Sequence, residues 1–172
     1  MRKIVFILVL PLALFSCKQN KRAVLSKTWH ATELESKDMD SIMKQGQIFI
    51  DTVGKNTDAA TNMNLYGTNN MDSLKHELQI QLDSVRVMQE GAVKSTVFEF
   101  RKDSVAILTF SGRTDSMKWH LDSDTGITLS PLGGIGSLEE VKMGIISLND
   151  TAMKLRFMEN GTSSVVTFHP EK

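Results

Sequence analysis

Apolar and polar positions along this chain follow two different periods. From Glu35 to Lys94 the pattern is helical. Met71, Leu74, Leu78, Leu82, Val85, Met88 and Ala92 recur at spacings of three and four, which lays one apolar stripe along a helix. Asn70 or Asp72 can cap its start, and Gly91 lies near its end. An earlier helix, Lys37 to Thr52, is interrupted by Gly46, and its Ile48-Phe49-Ile50 run also suits a strand. Between the two, Gly54 to Asn70 is rich in Asn, Thr and Gly and reads as a loop.

After Ser95 the period falls to two. Val97-Phe98-Glu99-Phe100 and Val105 to Phe110 are strands joined by a turn at Arg101–Ser104. Ser111-Gly112-Arg113 turns again, and Met117, Trp119 and Leu121 then alternate on one face. Ile127 to Ser130 is a short strand, and Pro131 to Lys142 is a loop with three glycines. Gly144 to Leu148, Ala152 to Met158 and Ser163 to His169 are three more strands, with hairpin turns at Asn149-Asp150 and Asn160-Gly161. Ahead of the helical stretch, Ala23 to Leu34 reads as a first strand around Trp29. Strands this close in sequence predict an antiparallel meander of about eight, and closing it into a barrel removes the exposed edges. The expected class is α+β, mainly antiparallel β, with a helical insertion over residues 35–94 after the first strand.

The first sixteen residues stand apart. Met1-Arg2-Lys3 precedes an apolar run from Ile4 to Phe15 that only Pro11 breaks, a basic start and short apolar core typical of an export signal. The run is shorter than the about 20 residues a membrane span needs. Leu14-Phe15-Ser16-Cys17 follows and resembles the lipobox of bacterial lipoproteins, with Phe15 where a small residue is usual. The resemblance implies cleavage before Cys17 and acylation of that cysteine. Several acyl chains on one residue anchor stably, at about 0.8 kcal/mol per buried CH2. Residues 17–22 become a lipidated tether, and Lys18-Gln19-Asn20-Lys21-Arg22 is basic enough to sit beside anionic lipid heads or simply to be solvated.

Charge changes the picture little. The whole chain balances 20 Lys and Arg against 20 Asp and Glu, and loss of Arg2 and Lys3 leaves a net charge of −2. Neither value suits a nucleic-acid partner. One cysteine excludes internal disulfides and multi-cysteine metal sites.

The strand pattern resembles the lipocalin-like lipoproteins of one phylum of Gram-negative bacteria. The likeness rests on Leu25-Ser26-Lys27-Thr28-Trp29 soon after the anchor, Thr96 to Asp103, Met117-Lys118-Trp119-His120-Leu121 and Lys154-Leu155-Arg156-Phe157. It spans residues 23–34 and 95–172; Lys27 stands where lipocalins usually carry Gly, and the helical insertion exceeds a simple lipocalin's. The resemblance implies a lipid-anchored domain at the cell envelope, facing the periplasm, that encloses a small apolar or amphipathic ligand without chemistry or cofactor. Inward residues Trp29, Phe98, Phe100, Trp119, Leu121, Leu155 and Phe157 would line its cavity, or else fill a solid core. A solid barrel would instead make the chain a protein-protein interaction module of the envelope, docking through its helix or an exposed strand edge.

Candidate chemistry adds one modification and no reaction. Asp followed by Ser or Thr and an apolar residue occurs at Ser41, Thr52, Ser73, Ser84, Ser104, Ser116 and Thr151. This resembles the O-glycosylation acceptor motif of exported proteins in the same phylum, and it equally suits caps and turns. His30, His76, His120 and His169 lack the close spacing of a zinc site, so no metal is expected. No nucleophile motif is present, Glu139-Glu140 is a loop pair, and Gly133-Gly134-Ile135-Gly136 lacks the rest of a phosphate loop.

Overall fold

A computed structural model describes residues 20–122, 125–132, 139–159 and 161–172. Eight antiparallel strands close into a lipocalin-like barrel, each paired with its neighbour in sequence and the last with the first. They are β1 (Thr28–Ser36), β2 (Val97–Phe100), β3 (Val105–Phe110), β4 (Arg113–Asp122), β5 (Gly126–Pro131), β6 (Val141–Leu148), β7 (Met153–Glu159) and β8 (Thr162–Pro170). Alternation drives closure: Phe98 and Phe100, Ala106 and Leu108, and Met117 and Trp119 point inward and are buried, while their neighbours face outward. Trp29 and Trp119 point in, so His30 and His120 point out, His120 exposed beside Asp122. Ser111 and Gly112, with φ of 46° and 80°, make the tight β3–β4 turn, where positive φ at both positions matches the strand twist.

Four helices complete the fold: α1 (Lys21–Leu25), α2 (Lys37–Thr52), α3 (Ala59–Tyr66) and α4 (Met71–Lys94). The first strand therefore starts at Thr28 rather than Ala23 and runs on to Ser36. Lys21 and Arg22, expected in the tether, belong to α1, as do Ala23, Val24 and Leu25. Val24 and Leu25 lie buried under the barrel floor. The Trp29 indole N–H donates to the Leu25 carbonyl at 3.0 Å. Arg22 seals the same end. Its guanidinium lies 4.6 Å from the Trp119 ring centroid and donates to Ser104 Oγ at 2.7 Å.

At the opposite end the chain leaves β1 and builds an arm. Ser36 caps α2, with Asp38 and Asp40 in the first turn. Ile48-Phe49-Ile50 is helical, not a strand. Gly46 does not break α2. It sits under Leu82 of α4, where a Cβ would lie 2.9 Å from Cδ1, so its missing side chain lets the helices approach. The expected loop between them holds α3, capped by Asp58 through the Thr61 N–H at 2.8 Å and ended by Gly67 at φ 71°. Asn70 caps α4. Val141 and Lys142, expected in a loop, open β6. The glycine run at 133–136, Cys17, the export signal and Asn160 lie outside the described residues.

Candidate functional site

Below the mouth the barrel interior is a packed cluster of buried side chains. Trp29, Phe100, Trp119 and Leu155 are buried, and Leu121 packs against them half-buried. Edge-on packing of Phe100 on Trp119, with centroids 5.5 Å apart, fills the space above the Arg22 seal. Five of the seven inward residues singled out from the sequence thus serve as packing.

The other two, Phe98 and Phe157, reach a hollow of about 300 Å³ at the open mouth. Its origin is a divergence of strands. β2 pairs with β1 only from Thr28 to His30, so beyond Ala31 no strand lies beside β1 on that face. The last turns of α4 lie against β1 there instead. A bulge between Ala31 and Glu33 bends β1 at the same level. Phe98, Phe168 and Ala31 form the floor, with Phe98 and Phe168 centroids 4.9 Å apart. Phe110, Phe157 and Val166 form the barrel wall, and Ala92 and Val93 of α4 close the side. Leu34 completes it from β1. Phe110 is 44% exposed, a large cost for a ring unless something covers it.

The polar groups around this hollow are Gln89, Thr96, Ser111 and Ser164, all uncharged. Such a site can enclose an apolar chain and orient one polar atom. Among the described residues it offers neither an acid/base pair nor a metal: no group of three His, Cys, Asp or Glu side chains converges anywhere in them. Leu34, Val93, Phe110, Val166 and Phe168 escaped the sequence reading. Phe110 carried a signal, being an aromatic ring at a strand end beside a tight turn.

On the other side of the α4–β1 contact lies a second hollow of about 510 Å³, between β1, α2 and α4. Leu34, Gln89 and Val93 line both and form the wall between them. Its floor is apolar (Met39, Met43) and its rim is charged, with Glu33, Asp40 and Glu90 against Arg86 and Lys94.

Of the seven hydroxyls in the Asp-Ser/Thr motif, six are exposed: Ser41 and Thr52 on α2, Ser73 and Ser84 on α4, Ser116 on β4 and Thr151 in the β6–β7 turn. Ser104 is half-buried and accepts from Arg22. Asp103 Oδ1 accepts from the Val105 N–H at 3.1 Å, the turn role of that motif.

No family model, curated protein or solved structure matches this chain.

Proposed function

We propose that the chain is a lipid-anchored, lipocalin-like carrier whose barrel mouth encloses one apolar chain. The observation that carries this reading is the hollow itself: a concave, mostly aromatic and aliphatic surface at the open end of an otherwise solid barrel. Its volume lies at the lower end of the about 300–1,000 Å³ usual for small-molecule sites, which suits a single chain rather than a multi-ring ligand.

The anchor reading adds an orientation. Cys17 precedes Lys21 by four residues, about 14 Å at full extension. Since α1 seals the barrel floor, acylated Cys17 holds the closed end at the membrane. The mouth then faces away from the membrane, with α4, about 36 Å long, lying against β1 at that end. A ligand reaches the mouth from the periplasmic side rather than sideways from the anchoring leaflet. Mass spectrometry of membrane-extracted protein tests the anchor: an acylated Cys17 peptide is expected, and an unmodified thiol at Cys17 contradicts it.

Native mass spectrometry of residues 17–172 with Cys17→Ser, against a panel of lipophiles, tests the carrier. One-to-one adducts that Val93→Trp abolishes are expected. No adduct across the panel removes the reading.

A second reading has its own observation. None of the 24 residues of α4 is buried, and Ile80, Val85, Val87 and Met88 are all exposed. Phe49, 48% exposed on α2, flanks the α2–α4 groove with Val85. Such a surface suits an interaction module that docks a protein partner through the arm. A pull-down from envelope extract that loses its partner in a Phe49→Ser/Val85→Ser variant, with ligand binding unchanged, would favour it.

A further inference from the structure

A third hollow, of about 240 Å³, opens along the arm between α2 and α4. Gly46 and Ile50 of α2 and Leu82 of α4 form its floor, with Phe49, Leu78 and Val85 at its sides. Gly46 lets the floor form, because without a Cβ it admits Leu82 against the α2 backbone. Helical spacing joins this groove to the barrel mouth. Leu78, Val85 and Ala92 are seven residues apart, which sets them in one row along α4 with only a slight drift. The first two line the groove and the third lines the mouth. Gln89 of the mouth follows Val85 by one turn, so the two hollows meet on the helix surface. Arg86, Glu90 and Lys94 lie on the other flank of α4, in the charged cleft. Among the described residues neither the groove nor the mouth has a charged side chain in its lining, and the groove's one polar side chain is Gln81.

We propose that the mouth and the groove form one site for a long unbranched alkyl chain of about sixteen carbons. The tip of the chain lies on the Phe98–Phe168 floor, its length follows the Leu78–Val85–Ala92 row, and its head stays in water at the far end of the groove. The inference rests on the carrier reading and deepens it: the site selects its ligand by chain length and not by head group. Three observations support an alkyl chain. From Leu78 to Ala92 the row is about 21 Å long, and an extended carbon chain advances about 1.3 Å per carbon. Phe49, Val85 and Phe110 stand exposed along this path, and one chain lying in it covers all three. Finally, the lining is almost all apolar, so it gains from each CH2 laid against it. An extended peptide would leave its backbone N–H and C=O groups unpaired there, and a helix, about 10 Å wide, cannot follow the row into a hollow of about 300 Å³.

The mouth encloses a chain more fully than the groove, which is open to water on one side. Each CH2 laid in the groove should therefore tighten binding about twofold, less than full burial gives. Four such carbons make about a fifteenfold difference between twelve-carbon and sixteen-carbon chains. A site limited to the mouth would show no such gain beyond the shorter chain.

The test uses residues 17–172 with Cys17→Ser and four uncharged probes: decyl, dodecyl, tetradecyl and hexadecyl maltoside, each below its micelle concentration. Displacement of the neutral fluorophore N-phenyl-1-naphthylamine reports binding. Affinity is expected to rise through the series, hexadecyl binding about fifteenfold tighter than dodecyl. In Phe49→Ser/Val85→Ser that gain should fall to about threefold or less, with decyl affinity unchanged. Both side chains are exposed, and unchanged decyl binding shows that the mouth is intact. Methyl NMR places the chain: hexadecyl maltoside should shift Leu78 and Val85, and decyl maltoside should leave them unmoved. A series that levels off at dodecyl overturns the groove and leaves the carrier reading standing. A full gain that survives the double variant overturns the path along the Leu78–Val85–Ala92 row. Failure of all four probes to bind removes the carrier reading and this inference together.

Discussion

The barrel and the arm use apolar residues in opposite ways. In the barrel nearly every large apolar side chain has an inside to go to, and strand alternation delivers it there. In the arm two helices share one seam, with Met39, Met43 and Ile50 on α2 and Val53 at its C-cap facing Met71, Leu78 and Leu82 on α4. The rest face solvent. Nine of the fourteen exposed large apolar side chains among the described residues lie in the arm, between Ile42 and Met88. A two-helix layer can bury only one stripe of each helix, so further stripes need a third surface. Stability therefore concentrates in the barrel, and the arm depends on local devices: caps, close glycine contacts and a few polar bonds. The mouth lies where the two meet, and it inherits one rigid wall and one yielding one.

That difference predicts a graded response to mutation. Phe98→Ala removes a ring that touches Phe100, Phe110, Phe157 and Phe168, and should cost about 3–5 kcal/mol by denaturant unfolding. A loss under 1 kcal/mol would mean the barrel is not the stable unit.

Arg22→Ala breaks the floor seal. It removes a cation–π contact and a hydrogen bond to Ser104, for an expected loss of about 1–2 kcal/mol. It should leave ligand binding at the far end unaltered.

Gly54→Ala attacks the arm alone. Gly54 has φ of +70° and lies against Met71, so a methyl group is both strained and crowded. About 1–2 kcal/mol is expected, read as faster amide exchange in α2 and α4 with barrel amides unchanged. Spread of the effect into β3 and β4 would argue against separate stabilities.

The smallest effect is a titration. The backbone N–H of Thr61 holds the Asp58 carboxyl below its ordinary range, with the Thr61 side chain adding to it. A depressed carboxylate stabilises the fold at neutral pH and loses that contribution as pH falls through its folded value. Protection of the α3 backbone amides, corrected for the intrinsic pH dependence of exchange, should therefore fall in acid, while Asp58→Ala lowers it at neutral pH and removes that fall.

The sequence exposed most of the barrel because its strands keep one wet face, so alternation survives along each of them. β3 appears at its observed bounds for that reason. The first strand's start was misplaced because Ala23-Val24-Leu25 is too short for its period to separate strand from helix. Only packing under Trp29 decides it. α3 was hidden because eight residues rich in Asn and Thr carry no apolar stripe; a cap at Asp58 and a stop at Gly67 define it instead. The site was half visible. Phe98 and Phe157 alternate correctly, but the hollow they reach exists because β2 stops short of following β1 and α4 lies across the opening. That is a long-range event with no local pattern. Leu34 and Val93, 59 positions apart, become the two sides of one wall only in three dimensions.

Methyl NMR during titration with dodecanol tests the central claim most directly. Shifts are expected at Leu34, Val93 and Val166, together with the Ala31 and Ala92 methyls, while Leu25 in α1 under the barrel floor stays still. Shifts confined to Val85, Met88 and the α2–α4 groove, with the mouth methyls unmoved, would contradict the account.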